Sequence, residues 1–233
     1  MNEFIVTYYL SVILQFISLI FQFYGYLINV PDTLYTLKQA LNVEFFVSIV
    51  EIIVYIWIGT SLNVYKDVMK KRYIDWFLTT NTLMISFSLL FIFFQENQNL
   101  IPKNDSHQPL QEYITTNITY LRPILLYNTL MLIIGYLGET KIIHKIYSVG
   151  IGFLFFFLSF YYLFHGFAKH TQIGKITISI IAIVWALYGV AHTFSDKWKN
   201  VCYNLLDLVS KNIFGVIIVF MLIHYKKLIP NNI

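Results

Sequence analysis

Asp207 and Lys211 lie four residues apart in the middle of the last long apolar run, within Leu206-Asp207-Leu208-Val209-Ser210-Lys211-Asn212. That spacing stacks the two side chains one turn apart on one face of a helix. In hydrocarbon a charged residue costs at least about 2.5–3.5 kcal/mol, so an acid and a base kept there mark a place where charge or protons are handled. An ion pair that only joins two helices is the structural alternative. A second set opens an earlier run, Lys71-Arg72-Tyr73-Ile74-Asp75-Trp76-Phe77-Leu78-Thr79-Thr80-Asn81. Arg72, Asp75, Trp76 and Thr79 fall at i, i+3, i+4 and i+7, one helical stripe, and Ser86 continues it. Such a stripe must face the protein interior. The two sets together place two carboxylates beside two cations, and that charge balance makes burial tolerable. Glu44 and Glu51, seven apart and hence on one face, sit in a third apolar run.

The elements that must position these residues are membrane helices. The chain of 233 residues is 58% hydrophobic, 18% aromatic and only 12% charged, whereas soluble domains carry about 25% charged residues. Only helices and closed barrels span a bilayer. The runs are continuous, without the period-two alternation of barrel strands, so helices are expected. The fold class is an all-α membrane protein, a seven-transmembrane-helix bundle forming a single domain over residues 1–233. The lone Cys202 excludes an intrachain disulfide framework and the usual thiolate metal sites. The net charge of +4 is spread over loops, which gives no support for nucleic-acid binding.

Seven runs can each cross a core about 30 Å thick: residues 4–29, 38–62, 71–95, 115–138, 144–167, 173–195 and 200–226. Short breaks imply antiparallel neighbours; the polar stretch Gln95–Gln111 reads as an exposed loop. The first run lacks a basic n-region and a small-residue cleavage site, so no cleaved signal peptide is expected. Six Lys/Arg fall on one side (Lys38, Lys103, Lys169, Lys175, Lys226, Lys227) and seven on the other (Lys66, Lys70, Lys71, Lys141, Lys145, Lys197, Lys199), so the positive-inside rule gives no orientation. Asn104-Asp105-Ser106 and Asn117-Ile118-Thr119 match the glycosylation pattern, which matters only for a luminal loop.

With these residues in view, the chain resembles the microbial (type 1) rhodopsins, seven-helix proteins that carry retinal on a lysine Schiff base. The third run matches the family's Arg-Tyr-x-Asp-Trp-x-x-Thr-Thr pattern at Arg72–Thr80, the last its Asp-x-x-x-Lys at Asp207 and Lys211, and the sixth its Trp-x-x-Tyr at Trp185 and Tyr188. The resemblance implies all-trans retinal bound to Lys211. It implies a pocket of Trp76, Thr80, Leu83, Asn128, Met131, Gly135, Phe156, Trp185, Tyr188 and His192. A Schiff base keeps its proton only where anions lie nearby, because desolvation favours the neutral form. Asp75 and Asp207 are the implied counterions, with Arg72 keeping both ionised. Leu83, at the family's main tuning position, leans toward green absorption.

Departures from the family narrow the function. Asp75 stands at the proton-acceptor position, with Thr79 one turn along, as in proton pumps. The refilling position holds Ser86, which cannot donate a proton at useful pH; Glu44 is a possible substitute. Asn81 and Gly189 replace prolines, and His192 stands where an aromatic closes the pocket. Glu51 and Asn212 match the central gate of the channelrhodopsins, and a first-helix serine, Ser11 in preference to Ser18, would complete it. The leading expectation is therefore a light-driven outward proton pump that is not an enzyme. A light-gated cation channel is the alternative, and a slow photosensor working through a separate partner is the third. Expected partners are retinal, the lipid bilayer, transported protons or cations, and further copies of the chain, since family members form trimers or pentamers. The expected location is integral and multi-pass, in the plasma membrane or another cellular membrane.

Overall fold

The computed structural model describes residues 3–101 and 108–229. Asn104, one of the two glycosylation matches, and Lys103 lie outside the described residues. Seven helices are long and apolar enough to cross a membrane. They are α1 (Glu3–Leu27), α2 (Tyr35–Gly59), α3 (Tyr65–Asn97), α5 (Ile118–Glu139), α6 (Lys145–Gly166), α7 (Gln172–His192) and a last span made of α8 (Asp196–Asp207), a π-helical turn (Leu208–Ile213) and α9 (Phe214–Leu228). A short α4 (Leu110–Thr116) precedes α5. Successive spans pack as neighbours, and α1 closes the ring against α8 and α9.

The residues explain this arrangement. Large apolar side chains such as Tyr9, Ile13, Ile20, Ile53, Leu78 and Phe157 point outward, where hydrocarbon would receive them. Polar side chains turn inward: on α1 the buried set is Phe4, Tyr8, Ser11, Gln15, Ser18, Gln22 and Gly25, spaced by threes and fours. The third span is the axis of the bundle, with 67% of its most apolar stretch buried against 22% for α7.

Three expectations need correction. The third span starts at Tyr65 rather than residue 71, because Lys66, Asp67 and Lys70 form a solvated helical turn that an apolar pattern does not register. The stretch from Gln95 is not all exposed loop. Gln95 and Glu96 are buried in the last turn of α3, where Gln95 Nε2 donates to the Phe167 carbonyl at 2.9 Å and Glu96 Oε1 accepts from Thr36 Oγ1 at 2.9 Å. Tyr113 then pins α4 to α3 through a 2.8 Å bond from its hydroxyl to Ser88 Oγ. Burial pushes the Tyr113 hydroxyl up, so it remains a donor. Finally, three lysines expected as loop charge lie in helices and are not free: Lys38 Nζ caps the end of α1 on the Gly25, Tyr26 and Ile28 carbonyls, while Lys71 and Lys199 are buried.

Candidate functional site

Lys211 occupies the π-helical turn, and that turn matters to the site. Three consecutive residues, Ser210, Lys211 and Asn212, are all buried there. A regular helix rotates each residue by about 100°, so it spreads three neighbours over most of its circumference; the wider π turn lets all three reach the interior. Ser210 Oγ meets the Tyr188 hydroxyl at 2.8 Å. Lys211 Nζ donates to Asp75 Oδ2 at 2.6 Å, and Asn212 Nδ2 donates to Glu51 Oε2 at 2.8 Å.

Around Lys211 Nζ stand three carboxylates rather than the two expected. Asp207 Oδ1 is 3.7 Å away and Glu51 Oε1 3.8 Å, and all four residues are at most 2% exposed. Glu51 therefore belongs to the lysine cluster as well as to the α2 polar face. The two aspartates differ in how they are held. Asp207 accepts from the Tyr55 hydroxyl at 2.7 Å, the Tyr188 hydroxyl at 2.8 Å, Trp76 Nε1 at 3.3 Å and Arg72 Nη1 at 3.0 Å. Asp75 has Lys211 on one oxygen, and its Oδ1 has no hydrogen-bond partner among the described residues. Thr79 does not supply one, since its hydroxyl donates to the Asp75 backbone carbonyl at 2.9 Å. Asp207 is thus held at both oxygens, while Asp75 keeps one oxygen with acceptor capacity to spare.

Toward the face that carries the start of α1, Arg72 closes the cluster. Its Nε donates to Asn200 Oδ1 at 3.1 Å, its Nη1 to the Tyr55 hydroxyl at 3.0 Å, and its Nη2 to Asn204 Oδ1. Asn204 in turn donates to Thr7 Oγ1 at 2.9 Å. Toward the opposite face a buried polar row runs between α1, α2 and the last span. Gln15 Nε2 reaches Glu51 Oε1 at 3.4 Å, and Ser18 Oγ donates to the Asn212 carbonyl at 3.0 Å. Gln22 donates to Ser18 Oγ at 2.9 Å and accepts from Ser48 Oγ at 3.0 Å. A Cβ on Gly215 would stand 2.6 Å from the Gln22 carboxamide, so a glycine there lets Gln22 enter the row. Ser18, not Ser11, is the first-helix serine at Asn212; Ser11 bonds instead to the Asn204 carbonyl at 3.1 Å. Ser86 is fully buried and donates to the Ala40 carbonyl at 3.4 Å. Glu44 lies beside it, neither carboxylate oxygen having a well-formed hydrogen bond among the described residues.

On the other side of Lys211 lies a cavity between α3, α5, α6 and α7. Trp76, Thr80, Leu83, Met131, Gly135, Phe156, Trp185, Tyr188 and His192 all line it, as does Lys211 itself. Asn128 does not. It stands behind Thr80 and donates from Nδ2 to Thr80 Oγ1 and to Asn81 Oδ1, both at 2.8 Å, which is the use the chain makes of Asn81. Tyr73, Ser148, Gly152, Phe153 and Tyr203 line the cavity without having been anticipated. The space suits a long apolar molecule with one carbonyl end: its walls are aromatic and aliphatic, and it ends on a lysine amine beside carboxylates. Gly152 leaves it room, since a Cβ there would meet nothing within 4 Å. The residues present fit retinal.

Seven apolar helices around a buried lysine, three carboxylates beside it and an aromatic cavity define a retinal-binding membrane protein. The chain belongs to the bacteriorhodopsin-like family, whose model matches residues 3–225. Members bind retinal through a Schiff-base lysine and are light-driven ion transporters or sensors, not enzymes. Among solved structures, the chain is similar to the viral rhodopsin OLPVRII at 26% identity, with a TM-score of 0.79 and coverage of 97% of this chain and 98% of that one. It also shares its fold with the blue light-absorbing proteorhodopsin from Med12, at 22% identity, TM-score 0.72 and coverage of 95% and 98%. The light-driven proton pump of Coccomyxa subellipsoidea shares the fold as well, at 16% identity, TM-score 0.65 and coverage of 94% and 97%. No curated protein sequence matches the chain.

Proposed function

We propose that the protein is a light-gated cation channel whose path follows the buried polar row between α1, α2 and the last span. The observation that carries this reading is the row itself: Gln15, Ser18, Gln22, Ser48, Glu51 and Asn212 are each at most 5% exposed and bonded to one another. From Gln15 to Gln22 it covers seven helical steps, about 10 Å of a core about 30 Å thick. Polar side chains inside a membrane mark ion or proton pathways. A pump needs only a relay of single proton sites, whereas hydroxyls and carboxamides in a continuous row offer ligands to a hydrated cation.

Bound retinal supplies light absorption and a labile proton at its link to Lys211 Nζ. Asp75 Oδ1, without a hydrogen-bond partner among the described residues, is the acceptor. Once Asp75 is neutral, Glu51 no longer faces the same charge balance at Lys211, and its bonds to Asn212 and Gln15 are free to exchange for water. Arg72, clamped by Asn200 and Asn204, bars the other end of the path until it turns aside.

Outward proton pumping is the second reading, favoured by the Lys211–Asp75 bond of 2.6 Å beside the fixed Asp207. In it Glu44, next to Ser86, replaces the missing donor. Whole-cell voltage clamp separates the two. A photocurrent that reverses sign near the cation equilibrium potential supports the channel. A current that stays outward through that potential and follows protons rejects it in favour of the pump.

A further inference from the structure

The cavity has one polar corner that nothing in the handling of protons at Lys211 uses. His192, 6% exposed, lines it at the end of α7, and Ser148 lines it at the start of α6. His192 Nε2 is buried without a hydrogen-bond partner among the described residues. It lies 3.6 Å from where a Cβ on Gly138 would stand, and Ser148 Oγ lies closer still to that point, so the two polar atoms share one neighbourhood. The ring is not loose. Its Nδ1 is 3.7 Å from Glu139 Oε2, and Glu139 is fixed by two 2.8 Å bonds from the buried Lys199. An oriented imidazole with its second nitrogen unsatisfied, in a wall otherwise apolar, is set to recognise a hydroxyl.

We propose that His192 and Ser148 hold a hydroxyl on the ring of the bound retinoid, so that this chain takes a ring-hydroxylated retinal in preference to retinal. The site for it is the α5–α6–α7 side of the cavity, across from Lys211. The open space beside Gly152 accommodates the added oxygen. The proposal rests on retinal attachment at Lys211 and is independent of whether the protein conducts or pumps.

The test is competitive regeneration. Membranes containing the retinal-free protein are given equimolar all-trans-retinal and its 3-hydroxy derivative, and in a parallel reaction the 4-hydroxy derivative. The bound retinoid is then extracted and separated by chromatography. One of the hydroxylated forms should be enriched about tenfold, the worth of one buried hydrogen bond. His192→Phe should bring the ratio of bound retinoids to unity. Equal uptake of all three retinoids by the unaltered protein overturns the proposal, as does enrichment that survives His192→Phe together with Ser148→Ala. Lys211→Ala distinguishes the underlying attachment: colour in that variant would reject the lysine linkage itself, whatever the hydroxyl preference.

Discussion

Asn212 and Glu51, 161 positions apart in the chain, are joined by a 2.8 Å bond one residue beyond Lys211. The same π-helical turn thus aims one side chain at Asp75 and the next at Glu51. A change of charge at Lys211 Nζ is felt by both carboxylates at once, because they stand 2.6 and 3.8 Å from it. This geometry couples the lysine to the polar row without any moving helix between them.

Glu51→Gln tests that coupling. The amide oxygen still accepts from Asn212 Nδ2, so the packing is kept, but the negative charge in the row is lost. On the channel reading the photocurrent falls at least severalfold, or its reversal potential moves toward a less proton-selective value, in voltage clamp. A current unchanged in size and reversal potential would remove Glu51 from the path.

Lys211→Ala leaves Asp75, Asp207 and Glu51 around a space with Arg72 as the remaining cation. Removing one partner of a buried ion pair costs about 3–5 kcal/mol, because the charges left behind are uncompensated. The retinal-free variant should therefore unfold at clearly lower temperature than the retinal-free parent. Adding Asp75→Asn should recover part of the loss, since the two sites are in direct contact and do not add independently. Circular dichroism melts of the three proteins give the comparison; no recovery in the double variant would mean that the Lys211–Asp75 contact is not what the lysine stabilises.

Much of this site could be read from spacing alone. Arg72, Asp75, Trp76 and Thr79 form a helical stripe, and the structure buries all four; Asp207 and Lys211 stack as a four-residue step requires. The α1 row was equally visible as Ser11, Gln15, Ser18 and Gln22 at steps of four and three, yet glutamines in a membrane helix carry no charge and draw less notice. The partners of Arg72 were not legible. Asn200 and Asn204 sit 128 and 132 positions from it, and only the closed ring of helices brings them together. The π turn was hidden too, because periodicity in sequence assumes a regular helix.

Asn204→Ala tests the clamp on Arg72. It removes the acceptor at Arg72 Nη2 and the donor to Thr7 Oγ1, leaving buried groups unsatisfied at a cost of about 1–3 kcal/mol. If Arg72 bars the path, the loosened guanidinium should give a small cation current in darkness and slower closing after light. A stability loss with no dark current and unchanged closing would make Asn204 a structural partner only.

Glu44 offers the opposite experiment. Its side chain is fully buried, and neither carboxylate oxygen has a well-formed hydrogen bond among the described residues. An unsatisfied buried polar group costs about 1–3 kcal/mol, a cost that an apolar side chain of similar size does not carry. Glu44→Met should therefore raise or keep the melting midpoint of the pigment. On the pump reading the use of that group is proton supply beside Ser86. Flash photolysis should accordingly show recovery of the resting absorption slowed at least tenfold in Glu44→Met, with speed restored by added azide, a small proton carrier. Recovery at the parent's rate would leave Glu44 without a role in the cycle, and proton refilling would then fall to water entering along Gln22 and Ser48.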